Sequence, residues 1–142
     1  MDDRTPEQRS RTMAAVKSEN TKLEREFLKE MVHDVRSEVE LYPVDVFGKP
    51  DFVHRVSKIA VFIDSCFWHG CPEHVRMPAA NKRYWARKIS RNRKRDLRVT
   101  RELHASGWSV IRVWEHSLRQ PRTRKWWHTR IVNRIRSNIS LR

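Results

Sequence analysis

The chain has 142 residues, room for one domain (1–142) with a single modest core, and no repeat or low-complexity tract marks a second. Thirty-one Lys and Arg against seventeen Asp and Glu leave a net charge of +14. That is the balance of a protein that meets a polyanion, because basic side chains placed on phosphates release condensed counterions. A merely solvated basic surface carries the same charge, so function needs further evidence. Only two cysteines occur, Cys66 and Cys71, which excludes the disulfide framework of a small secreted domain. Met1 to Ser10 has no apolar h-region, and no run approaches the ~18 apolar residues of a membrane span. A cytoplasmic protein with reduced thiols and no membrane partner is expected.

In chain order, the basic stretch Arg9 to Lys17 reads as an arm or a short helix. Thr21-Lys22-Leu23-Glu24 has the spacing of a capping box, and Leu23, Phe27 and Met31 follow at intervals of four, which predicts a first helix from about Asn20 to His33. Val39, Leu41, Val44 and Val46 read as irregular or extended chain broken by Pro43, and Gly48-Lys49-Pro50 is a turn. Asp51 to His54 and Lys58 to Ile63 are two strands, the second too continuously apolar to have a wet face. A long helix is predicted from about Asn81 to Ser106, apolar at Tyr84, Trp85, Ile89, Leu97 and Leu103, closed by Gly107 and cationic on its other face. Trp108 to Trp114 alternates as a strand does. A last helix from about Thr123 to Ile139 carries Trp127, Ile131 and Ile135 on one side.

This order describes an α/β domain with a central mixed sheet flanked by helices, the long helix serving as a crossover. Ligands in such folds gather at strand ends, where Asp51, Asp64 to His69 and Glu115-His116 all fall. Cys66 and Cys71, with His74 shortly after and His116 after the last strand, make a Cys2His2 set for a closed, structural Zn²⁺. The fourth ligand is the least determined, since His33, His69, His104 and His128 also exist, and a buried cysteine pair with exposed histidines is the plainer alternative. Hard-metal chemistry needs oxygens. Asp51 at a strand start and Asp64 at the next strand's end resemble the PD-(D/E)xK nucleases, in which carboxylates on a hairpin hold Mg²⁺. The lysine of that motif is missing, because position 66 is Cys66, and the nearest titratable side chain is His69. A turn residue for Asp51 and a strand-end cap for Asp64 are the competing readings.

The segments Gly48-Lys49-Pro50-Asp51-Phe52-Val53 and Val61-Phe62-Ile63-Asp64-Ser65-Cys66-Phe67-Trp68-His69-Gly70-Cys71-Pro72-Glu73-His74 carry the strongest pattern. Together with Lys88-Ile89, Asn92-Arg93, Arg95-Asp96 and Gly107-Trp108 to Trp114-Glu115-His116, they closely resemble the very short patch repair (Vsr) endonucleases. The likeness covers nearly the whole chain, including Ser10-Arg11-Thr12-Met13 and Lys17 to Glu24.

The resemblance implies a restriction-endonuclease-like fold with a structural zinc, and a Mg²⁺-dependent nickase that cuts 5′ to the thymine of T:G mismatches left by 5-methylcytosine deamination. By position, Asp51 would be the principal Mg²⁺ ligand and His69 the residue that activates water. Glu24 would assist through metal-bound water, and Asp96 would orient the imidazole. Phe67, Trp68 and Trp85 would insert beside the mismatch, Met13 would enter from the opposite side, and residues 1–19 would contact DNA. Such wedges exchange unstacking for contacts with an already distorted pair. On helix patterning alone the core tryptophan is the favoured reading of Trp85. Lys88 and Asn92 would touch the mismatched bases or adjacent phosphates.

Two departures from the family pattern stand out. Asp64-Ser65 replaces a common His-Gly, leaving Asp64 as a second metal ligand or the partner of a cation, and His116 stands where some members have cysteine. The implied partner is mismatched double-stranded DNA bound by a monomer, with other repair proteins as further partners. A Vsr-like nuclease directed at another lesion or at modified DNA, and a zinc-stabilised DNA-binding module without catalysis, are the alternatives.

Overall fold

A strand apolar along its length needs cover on both faces, and the chain supplies it. In the computed structural model, which describes residues 22–35, 38–73 and 78–140, the central strand is β3 (Ile59–Asp64). It lies between β2 (Phe52–His54) and β4 (Ser109–Trp114), with β1 (Val39–Leu41) beyond β2. The β1–β2 and β2–β3 pairs are antiparallel and the β3–β4 pair is parallel. A parallel pair requires a crossover, and α2 (Lys82–Ala105) makes it. The helix at residues 22–35 is α1, and α3 (His116–Arg119) and α4 (Pro121–Ser140) follow the sheet.

Alternation along β3 divides the core in two. Ile59 and Val61 join Phe52 and Val113 in a cluster with Phe27, Leu28 and Met31 of α1 and Ile131 and Ile135 of α4. Ala60 and Phe62 join Val53 in a second cluster with Val99 and Leu103 of α2. The architecture is thus three layers, with α1 and α4 on one face of an open mixed sheet and α2 on the other. Each large side chain buried in these layers contributes about 1.5 to 3 kcal/mol.

The element ends follow local chemistry. Gly107, at φ +89°, lets α2 close with its own N–H on the carbonyl of His104 at 3.0 Å and that of Trp108 on Leu103 at 2.9 Å, so the chain turns directly into β4. Helix α4 begins two residues earlier than patterning predicts because Pro121 suits the first helical position, where no N–H is needed. The segment from Val39 to Val46, irregular or extended by its sequence, contains the strand β1, which the β2 edge recruits by pairing Val39, Glu40 and Leu41 with His54, Val53 and Phe52. Thr21 of the capping box lies outside the described residues.

One expectation is corrected. Tyr84 and Leu97, assigned to the apolar stripe of α2, are 51% and 59% exposed. The inward face instead runs through Trp85, Ile89, Asn92, Asp96, Val99 and Leu103. Its middle is polar because it passes over the end of β3, where the chemistry gathers. Among the described residues no helix is long and apolar enough to cross a membrane.

Candidate active site

The turn Gly48-Lys49-Pro50 delivers Asp51 to the start of β2, where the sheet ladder is incomplete. The Asp51 N–H donates to the carbonyl of Val61 at 3.0 Å, and its Oδ2 accepts the N–H of Ile63 at 2.7 Å. The side chain is therefore fixed against β3. Glu24 approaches from α1 to within hydrogen-bonding reach of Asp51, and the hydroxyl of Tyr42 donates to Glu24 Oε1 at 3.3 Å. Burial, then the Asp51 carboxyl beside it, pushes Glu24 up to about 8. Burial also raises Asp51, against the pull of Glu24, the Ile63 N–H, His69 and Arg112. Two half-buried carboxyls at this separation share a proton. The donor set is all oxygen, and neither group forms an ion pair among the described residues, which is the environment a hard divalent cation completes.

On the opposite wall, β3 ends at Asp64 and the chain winds through a tight turn. The N–H groups of His69 and Cys71 donate to the carbonyls of Ser65 at 3.1 Å and Cys66 at 2.8 Å. This brings His69 back over the strand end, with Nδ1 at 2.5 Å from Asp96 Oδ2 and 3.8 Å from Asp64 Oδ1. Asp96 thus accepts the Nδ1–H hydrogen bond and leaves Nε2 to accept a proton. Burial works against the charged imidazole, but the Asp96 hydrogen bond and the charges of Asp64 and Asp96 outweigh it, so the pKa of His69 is raised above 6.5. Asp51, Asp64, His69, Asp96, Lys49 and Arg112 line one pocket of about 180 Å³. A roomier cleft of about 520 Å³ along β4 and α4 is lined by no carboxylate, so volume does not locate the chemistry.

Beneath this turn, Cys66 and Cys71 are both buried and are not joined in a disulfide. His116, the first residue of α3, places Nδ1 at 3.3 Å from Cys66 Sγ and 3.7 Å from Cys71 Sγ, and the three donor atoms lie within 4.8 Å of one another. Glu115 anchors the corner by accepting the Cys66 N–H at 2.9 Å. Burial pushes the Cys66 thiol up to about 12, with Glu115 and Cys71 adding to the rise. Two soft sulfurs and an imidazole at this spacing suit Zn²⁺, which would convert the thiols to thiolates. His74, expected as a further ligand, lies outside the described residues, as do Met13 and residues 1–19.

The aromatics form their own group. Phe67 meets Trp68 and Trp85 edge-on at 5.1 and 5.5 Å, and Trp68 meets Trp85 at 6.0 Å. All three are half-buried and belong to neither core cluster. Lys88 Nζ lies 4.9 Å from the centre of the Trp68 ring. Asn92 donates an amide N–H to the carbonyl of Trp68 at 2.9 Å, so part of its hydrogen-bonding capacity goes to holding the turn.

The residue that sequence reasoning missed is Arg112, whose Nη1 donates to both oxygens of Asp64 at 2.9 and 3.2 Å. The available signal was a charge at a position of β4 beside Phe62 of β3, on an inward face. Asp64 thus has the cation partner that one of its two sequence readings expects, and its carboxylate also lies with the ligand atoms of His69 and Asp96 in a group within 4.8 Å of one another. Tyr42 was also missed, and only its contact with Glu24 distinguishes it from other loop tyrosines.

Comparison with known proteins bears on this site directly. The family model described as DNA mismatch endonuclease Vsr matches residues 1–76. The type II nicking enzyme V.NaeI of Lentzea aerocolonigenes is 46% identical over 112 residues, 76% of this chain and 68% of that protein. The type II nicking enzyme V.NmeAIP of Neisseria meningitidis serogroup A is 34% identical over 141 residues, covering 95% and 96%. The DNA mismatch endonuclease Vsr of Escherichia coli (strain K12) is 31% identical over 112 residues, covering 78% and 71%. A carboxylate pair facing an imidazole in a basic α/β chain, joined to these matches, means that the chain belongs to the Vsr family and is a DNA endonuclease.

Proposed function

We propose that this endonuclease nicks one strand of duplex DNA 5′ to the thymine of a T:G mismatch, with Mg²⁺ held mainly by Asp51 and supported by Glu24. The observation that carries the reading is the pocket in which Asp51, with Glu24 within hydrogen-bonding reach of it, faces the His69–Asp96 dyad, the turn that bears His69 also carrying the half-buried Phe67 and Trp68. The name of the Escherichia coli relative supports mismatched DNA as the substrate. When bound, Mg²⁺ supplies positive charge to the phosphoryl oxygen and to the leaving 3′ oxygen.

The chain's own residues do the rest. His69 Nε2 removes a proton from water while Asp96 holds the imidazolium that results. The water oxygen bonds to phosphorus as the bond to the 3′ oxygen breaks, and that oxygen takes up a proton to leave a 3′ hydroxyl. Exposed cations of α2, from Arg83 to Arg101, hold the backbone without reading sequence. Phe67, Trp68 and Trp85 supply apolar surface for an unstacked mismatch. Cys66, Cys71 and His116, with His74 as the fourth ligand, would hold a structural Zn²⁺, which would fix the turn bearing His69.

Membership in a nuclease family sets aside a non-catalytic binding module. The experiment that tests the substrate is incubation of the protein with end-labelled duplexes carrying each mismatch, uracil or 5-methylcytosine, with and without Mg²⁺. Nicking confined to the thymine strand of T:G is expected. Preference for uracil or for fully paired modified DNA would instead support a nuclease turned to another lesion or to restriction.

A further inference from the structure

We propose that Arg112 is the positioning residue of the catalytic pocket, a resident cation that occupies Asp64 and ties down the partner of His69. This deepens the reading above and rests on it. An arginine on an inward face of a sheet is costly unless its N–H groups are used. Here they are spent on two other elements. Nη1 donates to both Asp64 oxygens at 2.9 and 3.2 Å, Nη2 to the carbonyl of Asp96 at 3.2 Å, and Nε to Thr100 Oγ1 at 3.1 Å. The guanidinium lies 4.3 Å from the centre of the Phe62 ring, which limits its tilt.

Two consequences follow from that geometry. Asp96 and Thr100 lie one turn apart on α2, so Arg112 locks that turn to the end of β3 and thereby sets where the Asp96 carboxylate meets His69. Asp64 lies with His69 and Asp96 in a group whose ligand atoms fall within 4.8 Å of one another, and on this proposal it serves the guanidinium, which takes both of its oxygens, and not the metal. The carboxylates of the pocket thus divide: Asp64 has a protein cation, whereas Asp51 and Glu24 have no ion-pair partner among the described residues. A divalent ion therefore depends on Asp51 and Glu24, and Arg112 acts on the chemistry only through Asp96 and His69.

The test uses the full chain and two readouts. Mn²⁺ binding without DNA, followed by loss of the free-ion electron paramagnetic signal, is expected to be lost in Asp51→Asn and unchanged in Asp64→Asn. Equal weakening by the two would overturn the assignment of Asp64, while full binding by Asp51→Asn would overturn the metal reading itself, so the two failures are distinguishable. In kinetics, Arg112→Ala and Arg112→Lys are both expected to lower kcat by roughly 10- to 100-fold with KM for DNA unchanged, since an ammonium cannot span three acceptors. A wild-type kcat in Arg112→Lys, or a raised KM with intact kcat in Arg112→Ala, would mean that Arg112 supplies only charge or grips phosphate, and would overturn the proposal. If Arg112→Ala does not fold, Asp64→Asn/Arg112→Gln removes both charges together. That pair is expected to keep KM and lose kcat, and a wild-type kcat there overturns the proposal equally.

Discussion

Replacing Glu24 by Gln should stabilise the metal-free protein while weakening its response to Mg²⁺. Glu24 sits at 4.5 in a free chain and is pushed up to about 8 by burial and by Asp51. For an acid raised on folding, the unfolded chain loses its proton first, so stability falls as pH rises from 4.5 to about 8 and stays reduced above that. At about 1.4 kcal/mol per pH unit the whole span is about 5 kcal/mol. One side of Glu24 is open to water, and solvent screening brings the expected cost down to about 1 to 3 kcal/mol. Gln keeps the size of the side chain and an oxygen for the Tyr42 hydroxyl, and it removes the charge. Urea unfolding in buffer cleared of divalent ions by resin, without a soluble chelator that would attack the thiol site, should show Glu24→Gln equal to wild type at pH 4.5. At pH 8.5 it should be more stable by the stated amount. Added Mg²⁺ should then stabilise wild type more than Glu24→Gln. Equal stabilities at pH 8.5, or a Glu24→Gln deficit of constant size at both pH values, would refute the shared-proton account of the pair.

Three other outcomes are expected. His69 is a base only when neutral and its pKa is raised, so nicking should increase with pH through a midpoint above 6.5. Asp96→Asn removes the largest upward influence and should move that midpoint to lower pH, an acid limb left in place counting against the dyad. Metal analysis should find one Zn²⁺ per chain, and Cys71→Ser should lower the unfolding midpoint because a closed site contributes folding energy; absence of zinc with both thiols freely titratable would remove the site. Phe67→Ala and Trp68→Ala should weaken binding to T:G duplex more than to matched duplex, by about 1 to 3 kcal/mol per lost stack, with little change in the unfolding midpoint. Equal losses on both duplexes, with a large fall in stability, would assign these rings to supporting the turn.

The sequence made the sheet legible wherever burial is written as composition. Ile59 to Phe62 has no polar residue, so only a central strand accommodates it, and Gly107 marks the end of α2 because the turn there needs a positive φ. Patterning failed where function interrupts burial. Apolar spacing runs the inward stripe of α2 through Leu97 instead of Asp96, since such a periodicity has no way to include the carboxylate hydrogen-bonded to His69. Arg112 escapes patterning for the same reason, as a charge in an alternating strand reads as solvent-facing although Asp64 and Thr100 surround it in the fold. Asp51, His69 and the cysteines were found by local spacing. Their partners Asp96, Glu24 and His116 lie 27, 27 and 50 residues from His69, Asp51 and Cys66, where only the fold or a family pattern joins them.

The most direct measurement is single-turnover nicking of an end-labelled T:G duplex, in Mg²⁺, by saturating wild-type and Asp51→Ala protein, with binding of the same duplex measured in parallel. Wild type should produce one cut 5′ to the thymine. Asp51→Ala should bind with nearly unchanged affinity, because the basic face is intact, and leave the strand whole. Nicking by Asp51→Ala at the wild-type rate would contradict the account, since the reaction would then be centred away from the Asp51/Glu24 pair.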